Sequence, residues 1–325
     1  MGRIQRTLQY IAFFALGVFL LYWALRGIDF LVVRHYLMTA RYEWIVLALF
    51  VTWISHVIRG ARWKLLLEGI GYPVTTTVTY HSLILGYLMN MVLPRAGEVT
   101  RCVALNRLER VPISTLLGSV VAERGLDLLF LAGLVLFNLI LEFDLLTNWM
   151  GSLRLAAPSG TLLVAGSIGI GMGGIVVWML MHRFRDMPLM VKVREKLRQF
   201  VQGVATLRRV RRPALFWLQS ISIWALYWMM TYLPFFAFDF TSGLSPVAGL
   251  TVFTVSSIGF IMPVQAGIGT YHWAAATAFG LYGIPWEQGM TMALVMHTSQ
   301  MLLIVLLGMV SLPWYFYHYH RKTAL

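Results

Sequence analysis

The sequence predicts an all-α polytopic membrane protein with a single integral membrane domain over residues 1–325. Hydrophobic residues make up 59% of the chain and charged residues 12%, whereas charged residues account for about a quarter of a soluble protein. Several apolar runs are about twenty residues long, the length that a helix needs to cross a bilayer. The short alternating segments of a membrane β-barrel do not occur in the sequence. We therefore expect about six full transmembrane helices and two re-entrant or broken helical hairpins.

The first two predicted spans are Thr7–Leu25 and Trp44–Ile58. The first span follows Arg3 and Arg6, is longer than the apolar core of a signal peptide and lacks a small-residue cleavage site. We therefore expect an uncleaved helix there. The second span is predicted to end where three basic residues follow, namely Arg59, Arg62 and Lys64.

The first hairpin is predicted over about residues 80–110. Its apolar segment Tyr80–Leu93 is too short and too polar for a full crossing, and Pro94 and Gly97 follow it. A second short segment, Val99–Leu108, then returns to a basic stretch. Interrupted helices are tolerated in a membrane only where they are buried in protein or line a cavity. We interpret the two segments as one re-entrant hairpin rather than as two crossings.

Spans three, four and five are predicted at Pro112–Leu141, Thr161–His182 and Pro213–Leu233. Between the last two lies the most basic part of the chain, residues 183–212, where apolar residues recur at helical spacing. An amphipathic helix on the cytoplasmic surface explains both features, and it would attract anionic lipid headgroups. A nucleic-acid partner is not expected, because the other basic residues are spread over loops between apolar spans.

The second hairpin is predicted over about residues 247–282, before span six at Pro285–Leu312. Its first apolar segment is interrupted at Pro263 and Gly267, which repeats the broken form of the first hairpin. The similarity extends to two short sequence matches, Leu93–Gly97 with Met262–Gly267 and Val111-Pro112 with Ile284-Pro285. Because three spans separate the hairpins, the copies would enter from opposite sides, as in the inverted repeats of transporters. Chance coincidence of proline and glycine is the other reading, and the sequence leaves both open.

The distribution of basic residues predicts cytoplasmic N- and C-termini in the inner membrane of a bacterium or archaeon. The formal net charge is +13, and the predicted outer loops are those poor in net positive charge, as the positive-inside rule requires. Charge alone does not exclude ten spans. If each hairpin crossed the membrane fully twice, each loop would stay on the side where the six-span topology places it. Cys102 is the only cysteine, which excludes internal disulfides and a multi-cysteine metal site. The histidines show no metal-binding spacing, so neither a metal nor a cofactor is expected.

The stretch from Gly86 to Asp127 carries charges of both signs inside or against apolar segments. Ionisable groups are costly at membrane depth, so such a cluster usually marks a functional pathway. Glu123 and Asp127 are four residues apart and share one helix face, so they need a nearby cation, or one must be protonated. The best candidates for that cation are Arg59, Arg62, Arg95 and Arg101.

Two further charged residues flank this acidic pair. Arg124 adjoins Glu123 but projects about a quarter turn away on a helix. Glu98 and Arg101 are three residues apart, which suits an ion pair of their own. A purely structural ion-pair network that braces the hairpin is the alternative to a binding site. For a binding site, arginines beside a helix break suit a phosphate, because a guanidinium makes bidentate bonds to it.

Four motifs carry a family resemblance: Arg59-x-x-Arg62-Trp63-x-x-Leu66-Leu67, Gly86-Tyr87-x-x-Asn90-x-x-Leu93-Pro94-Arg95-x-Gly97-Glu98-x-x-Arg101, Glu123-Arg124-x-x-Asp127 and Pro263-x-x-x-Gly267-x-Gly269. In them the chain resembles the lysylphosphatidylglycerol synthase transmembrane family, the flippase-like membrane part of the multiple peptide resistance factor. The matches cover most of the chain from span two onward. The resemblance implies movement of lipids or lipid-linked sugars between leaflets. Longer relatives carry a soluble aminoacyl-transfer domain, which this chain lacks, so we expect translocation rather than lipid aminoacylation.

One position departs from the family pattern. The later motif of the family usually carries a glutamate three residues after its last glycine, where this chain has His272. The charge and any proton coupling of the second hairpin therefore stay open. His272 would either titrate near neutral pH or pack as a neutral imidazole.

We therefore expect a transporter, not an enzyme, that moves a phospholipid or another phosphate-bearing lipid between leaflets. The alternatives are a membrane-embedded enzyme that acts on a lipid phosphate and an accessory subunit that partners a lipid-synthesis enzyme. The predicted substrate-binding residues are Arg59, Arg62, Asn90, Arg95, Glu98, Arg101, Glu123, Arg124, Asp127, Gln265 and His272.

Overall fold

The computed structural model describes residue 22 and residues 30–93, 96–145, 210–262 and 264–323, which are helical and contain no β-strand. Predicted span one (apart from Tyr22), predicted span four and nearly all of the basic segment 183–212 lie outside these residues. The helices are α1 (Phe30–Thr39), α2 (Tyr42–Gly69), α3 (Thr76–Val92), α4 (Gly97–Glu109), α5 (Ile113–Leu141), α6 (Pro213–Tyr232), α7 (Asp239–Ser242), α8 (Pro246–Ile261), α9 (Thr270–Gly280) and α10 (Trp286–Thr323). Short 3₁₀ helices occupy Leu233–Ala237 and Gln265–Gly267.

Three described helices, α2, α5 and α10, are long and apolar enough to cross a membrane. They coincide with predicted spans two, three and six, which confirms these spans as apolar helices. Helix α6 coincides with predicted span five and has 20 residues. The polytopic, all-α character of the chain is therefore supported, while the total number of crossings stays a prediction.

The predicted end of span two at Ile58 is wrong. Helix α2 continues to Gly69, and Arg59 and Arg62 lie on its buried face instead of in a loop. Hydropathy places a boundary wherever charge begins, but arginine, lysine and leucine are good helix formers. Helix α10 likewise passes the predicted end at Leu312 and continues to Thr323.

The first hairpin consists of α3 and α4, which have 17 and 13 residues. At a rise of 1.5 Å per residue these helices are about 25 and 20 Å long, less than the hydrocarbon thickness of about 30 Å. Their backbones meet at two glycines, since a Cβ added to Gly86 would lie 2.7 Å from the carbonyl oxygen of Gly97. Asn90 fixes the turn, because its Oδ1 accepts a hydrogen bond of 2.7 Å from the Gly97 N–H at the start of α4.

The second hairpin consists of α8 and α9, which have 16 and 11 residues. Its helices also meet at a glycine, since a Cβ on Gly259 would lie 2.7 Å from the Thr270 carbonyl oxygen. Both backbone contacts join residues eleven apart, 86 with 97 and 259 with 270. The first helix of each hairpin also begins with a hydroxyl cap, from Thr75 in one and Ser245 in the other.

The tips of the two hairpins touch each other. Gln265 of the second hairpin donates from Nε2 to the carbonyl oxygen of Val92 at the end of α3, at 2.8 Å. That carbonyl has no partner within its own helix, as is usual in a last helical turn. Helix α10 packs against both hairpins, with Gly308 beside Leu88 of α3 and Gly289 beside α9.

Contacts between loops agree with the predicted grouping of loops by side. Arg41 Nη2 lies 2.9 Å from Asp239 Oδ1, and the hydroxyl of Tyr282 donates to Glu142 at 2.8 Å. All four residues belong to segments that the sequence predicts on the outer side. Lys322 in the predicted cytoplasmic tail lies 3.1 Å from a carboxylate oxygen at the base of the first hairpin, Glu109. Which of the two sides faces the cytoplasm stays a prediction.

Candidate functional site

Glu123 lies at the centre of a buried charged cluster and is itself 1% exposed. Its Oε1 accepts from Nε and Nη2 of Arg59, at 3.0 and 2.6 Å. Its Oε2 accepts from Nη1 of Arg101 at 3.0 Å. A third guanidinium is close as well, since Arg62 Nη2 lies 3.7 Å from Oε1. Burial of this carboxylate is therefore compensated by charge-assisted hydrogen bonds.

Asp127, one helical turn after Glu123, completes the acidic pair. Its Oδ2 accepts from Nη2 of Arg59 at 2.6 Å, and its Oδ1 accepts from Nη2 of Arg62 at 2.8 Å. The two arginines are three residues apart on α2, so they present both guanidiniums to the same face of α5. Arg59 and Arg62 are two of the four arginines that the sequence offered as partners of the acidic pair.

Arg124 and Glu98 form the half-exposed edge of the cluster. Their side chains are 42% and 31% exposed, and Arg124 Nε lies 3.5 Å from Glu98 Oε1. Arg124 also lies 3.6 Å from Glu123 and 3.7 Å from Asp127, so it reaches the acidic pair despite its different direction on α5. The predicted pairing of Glu98 with Arg101 is wrong, because Arg101 turns inward to Glu123.

Helix α6 and a tryptophan complete the surroundings of the arginines. The hydroxyl of Tyr227 accepts from Arg59 Nη1 at 2.6 Å, and Ser220 Oγ lies 3.5 Å from Arg62 Nη1. The guanidinium carbon of Arg101 lies 4.8 Å from the ring centroid of Trp63, within the range of a cation–π contact. Sequence reasoning did not assign Tyr227 or Ser220 to the site, since neither stands out within its apolar helix.

The cluster carries more positive than negative charge. It contains four guanidiniums (Arg59, Arg62, Arg101 and Arg124) and three carboxylates (Glu98, Glu123 and Asp127), a formal surplus of one positive charge. Three of its buried N–H groups lack an acceptor among the described residues, namely Nε of Arg62 and both Nε and Nη2 of Arg101. Nε and Nη2 form one edge of the guanidinium, which is the edge suited to bidentate pairing with an oxyanion.

Three other predicted site residues lie at the hairpin tips or in the second hairpin. Asn90 holds the start of α4, and Gln265 joins the two tips. His272 accepts at Nδ1 from the Gly269 N–H at 3.3 Å, and its ring centroid lies 4.6 Å from that of His297. Within the described ranges, none of the three forms a hydrogen bond with the charged cluster. Arg95 lies outside the described residues.

The family of this chain follows from comparison with known proteins. The family described as the lysylphosphatidylglycerol synthase TM region matches residues 10–308. The chain belongs to this family. The match spans α2 to α5, which carry every residue of the charged cluster, as well as both hairpins. Membership relates the chain to membrane proteins of lipid modification or flipping, and it supports a multi-pass membrane location.

Two archaeal relatives are similar to this member of the lysylphosphatidylglycerol synthase TM family. A UPF0104 membrane protein of Methanothermobacter thermautotrophicus is 24% identical over 299 residues, which cover 86% of this chain and 85% of the relative. A UPF0104 membrane protein of Methanocaldococcus jannaschii is 31% identical over 88 residues, or 26% of each chain. No solved structure matches the chain.

Proposed function

We propose that this chain is a flippase-type transporter that moves a phosphate-bearing lipid between the leaflets of the membrane. The observation that carries the proposal is the Nε–Nη2 edge of Arg101, which lacks an acceptor among the described residues and lies within a buried cluster of surplus positive charge. Phosphate is the common lipid group that matches such an edge in both charge and geometry.

The cluster is suited to exchange one anionic partner for another. Arg101 is bound to Glu123 through Nη1 alone, whereas Arg59 binds the same carboxylate through two N–H groups. When Arg101 turns to a phosphate, Glu123 therefore keeps a strong partner. No buried charge is left unpaired during the exchange, which avoids the main energetic penalty of ionic groups at membrane depth.

The position of Arg101 on the first hairpin supports a transport role for the exchange. Arg101 lies on α4, one turn after Gly97, and its unpaired edge is enclosed by protein. Access to that edge requires α4 to move relative to α5. Among the described residues, Gln265 and Val92 form the hydrogen bond that joins the hairpin tips, so opening on one side breaks few polar contacts.

Leaflet exchange in vesicles tests the proposal. Purified protein is reconstituted with a fluorescent phospholipid or with a fluorescent diacylglycerol that lacks the phosphate, and exchange is followed by quenching of the outer leaflet. Exchange of the phospholipid should be faster than in empty vesicles, whereas exchange of the diacylglycerol should not. Arg101→Lys keeps the charge but loses the planar edge, so it should slow exchange about tenfold, the effect of losing one charge-assisted hydrogen bond.

Arg41→Lys is the matched control, because Arg41 forms an exposed ion pair with Asp239 and lies just before α2, about 27 Å along the helix axis from Arg59. It should leave exchange unchanged. Equal exchange in protein-containing and empty vesicles across a panel of phospholipids would contradict the proposal. Recovery of a lipid with altered mass would point instead to an enzyme that acts on the lipid phosphate.

A further inference from the structure

An apolar groove lies directly beside the charged cluster. It is formed by α5, α6 and α8, has a volume of about 420 Å³, and is lined by residues that include Phe130, Leu134, Trp224, Ala225, Trp228 and Leu250. Every described side chain that lines it is aliphatic or aromatic. Its volume falls within the range of about 300–1,000 Å³ that is typical of ligand pockets.

The groove and the cluster are continuous along two helices. On α5, Asp127 of the cluster is followed by Phe130 and Leu134 of the groove at helical spacing of three and seven residues. On α6, Trp224 lies between Ser220 and Tyr227, both of which face the arginines. The site therefore changes from ionic to apolar within about one helical turn.

One polar atom lies at this transition. The indole Nε1–H of Trp224 is buried and has no acceptor among the described residues. The Trp224 ring stacks on Phe130, with ring centroids 5.9 Å apart and planes at 10°. A neighbouring indole differs in this respect, because Trp228 donates from Nε1 to the Pro246 carbonyl at 3.2 Å. An unpaired buried donor is unfavourable, so an acceptor oxygen supplied beside Trp224 would be stabilised.

We propose that the groove holds a hydrocarbon chain of the same lipid whose phosphate binds the arginine cluster. This inference rests on the proposed function and adds where the apolar part of the lipid lies. Along the site, the anion-binding arginines come first, the Trp224 N–H donor second and the apolar groove third. The same order is found in a glycerophospholipid, where an ester or ether oxygen separates the phosphate from the chain. Such an oxygen would supply the acceptor that the Trp224 N–H lacks among the described residues.

Photolabelling tests the location of the chain. A phospholipid with a diazirine in its hydrocarbon chain is irradiated with the full-length protein in nanodiscs, and adducts are mapped by peptide mass spectrometry. Adducts should concentrate on the groove segments of α5, α6 and α8. Unlabelled phospholipid should compete with them, and unlabelled diacylglycerol should not.

A matched pair of α6 variants separates the groove from the general lipid surface. Ala225→Trp fills the groove from an exposed position and should cause loss of the groove adducts. Leu218→Trp places the same side chain at another exposed position of α6 outside the groove and should leave them unchanged. Size-exclusion profiles identify a variant that has misfolded.

The role of Trp224 has its own test. Trp224→Phe removes the N–H and should weaken phospholipid binding about two- to tenfold, as expected for one hydrogen bond. Trp273→Phe is the control, because Trp273 is an exposed tryptophan of α9 that does not line the groove, and it should not change the affinity. Titration with ester-linked and ether-linked phospholipids of equal chain length shows which oxygen accepts. Trp224→Phe could leave the affinities for the ester-linked and the ether-linked phospholipid unchanged while Ala225→Trp still removes the adducts. In that case the groove assignment stands and the role of the indole is overturned.

The results distinguish this inference from the proposed function. If unlabelled phospholipid competes with the groove adducts but the protein shows no leaflet exchange, the assignment of the chain site stands and the transport function is overturned. Leaflet exchange with adducts spread evenly over all lipid-facing helices would retain transport and overturn the chain site. Adducts that compete equally with diacylglycerol would also overturn it, because the groove would then bind chains independently of the phosphate.

Discussion

At the scale of single residues, Glu123 holds the charged cluster together. It receives hydrogen bonds from Arg59 and Arg101 and lies close to two further guanidiniums. Glu98 contrasts with it, because its contact with Arg124 is half-exposed and 3.5 Å long. Buried and exposed ion pairs differ several-fold in the cost of losing one partner. The two glutamates therefore offer a matched comparison.

Glu123→Gln should lower stability strongly. The change leaves buried guanidiniums without their carboxylate, which typically costs about 3–5 kcal/mol. Glu98→Gln should cost about 0–1 kcal/mol, as for an exposed pair. Thermal unfolding in detergent, followed by circular dichroism, measures both effects. Similar midpoints for the two variants would contradict the central position of Glu123.

The sequence predicted part of this residue-level picture. The four-residue spacing of Glu123 and Asp127 predicts that the two acids share a face and need a cation, for which Arg59, Arg62 and Arg101 were among the candidates. The sequence did not predict that Arg59 and Arg62 lie on a helix face, because it ended span two at Ile58. The sequence does not predict that Arg101 turns to Glu123 rather than to Glu98, because that choice depends on how closely α4 packs against α5. Tyr227 was missed for a related reason, since its role depends on contact between helices far apart in the chain.

At the scale of elements, the two hairpins depend on close backbone contact. A Cβ on Gly97 would overlap the carbonyl oxygen of Gly86 and lie 2.6 Å from the side chain of Asn90. The backbone oxygen can move only if α3 and α4 separate. Because Arg101 lies one turn further along α4, such a separation would shift it relative to Glu123.

Gly97→Ala should therefore both destabilise the protein and slow leaflet exchange. The expected loss of stability is about 1–3 kcal/mol, as for other overpacked contacts. Gly118→Ala is the control, because a Cβ at this position of α5 meets no atom within 4 Å. It should be neutral or stabilising by up to about 1 kcal/mol, since alanine favours a helix. Thermal unfolding and exchange rates of both variants provide the measurement, and equal behaviour would contradict the role of the glycine contact.

The sequence identified both hairpins from short apolar segments broken by proline and glycine. It did not predict that their tips meet, which depends on the contact between Gln265 and Val92. Such a contact is expected of two re-entrant hairpins that enter from opposite sides, and the number of crossings stays a prediction. The end of span two was misplaced because hydropathy does not distinguish a charge in a loop from a charge paired inside the protein.

At the scale of the whole molecule, the loop contacts divide the described chain into two sides. The tail at Lys322 and the base of the first hairpin share one side, while Arg41 and Asp239 share the other. The excess of basic residues near the tail predicts that the first side is cytoplasmic. We expect this orientation in the inner membrane of a bacterial or archaeal cell.

Cysteine labelling tests the orientation. Cys102 is the only cysteine and is buried, so Cys102→Ala provides a background without thiols. In intact cells, a membrane-impermeant maleimide should label Gly243→Cys at once and Arg321→Cys only after permeabilisation. The reverse pattern would show the opposite orientation.

The most direct test of the central claim is to locate the phosphate of a bound lipid. A cryo-EM reconstruction of the protein in nanodiscs with phospholipid should show phosphate density against the Nε–Nη2 edge of Arg101. The adjoining hydrocarbon density should run into the groove beside Trp224. Ordered lipid with its phosphate elsewhere, and Arg101 still enclosed and bound to Glu123 alone, would contradict the claim.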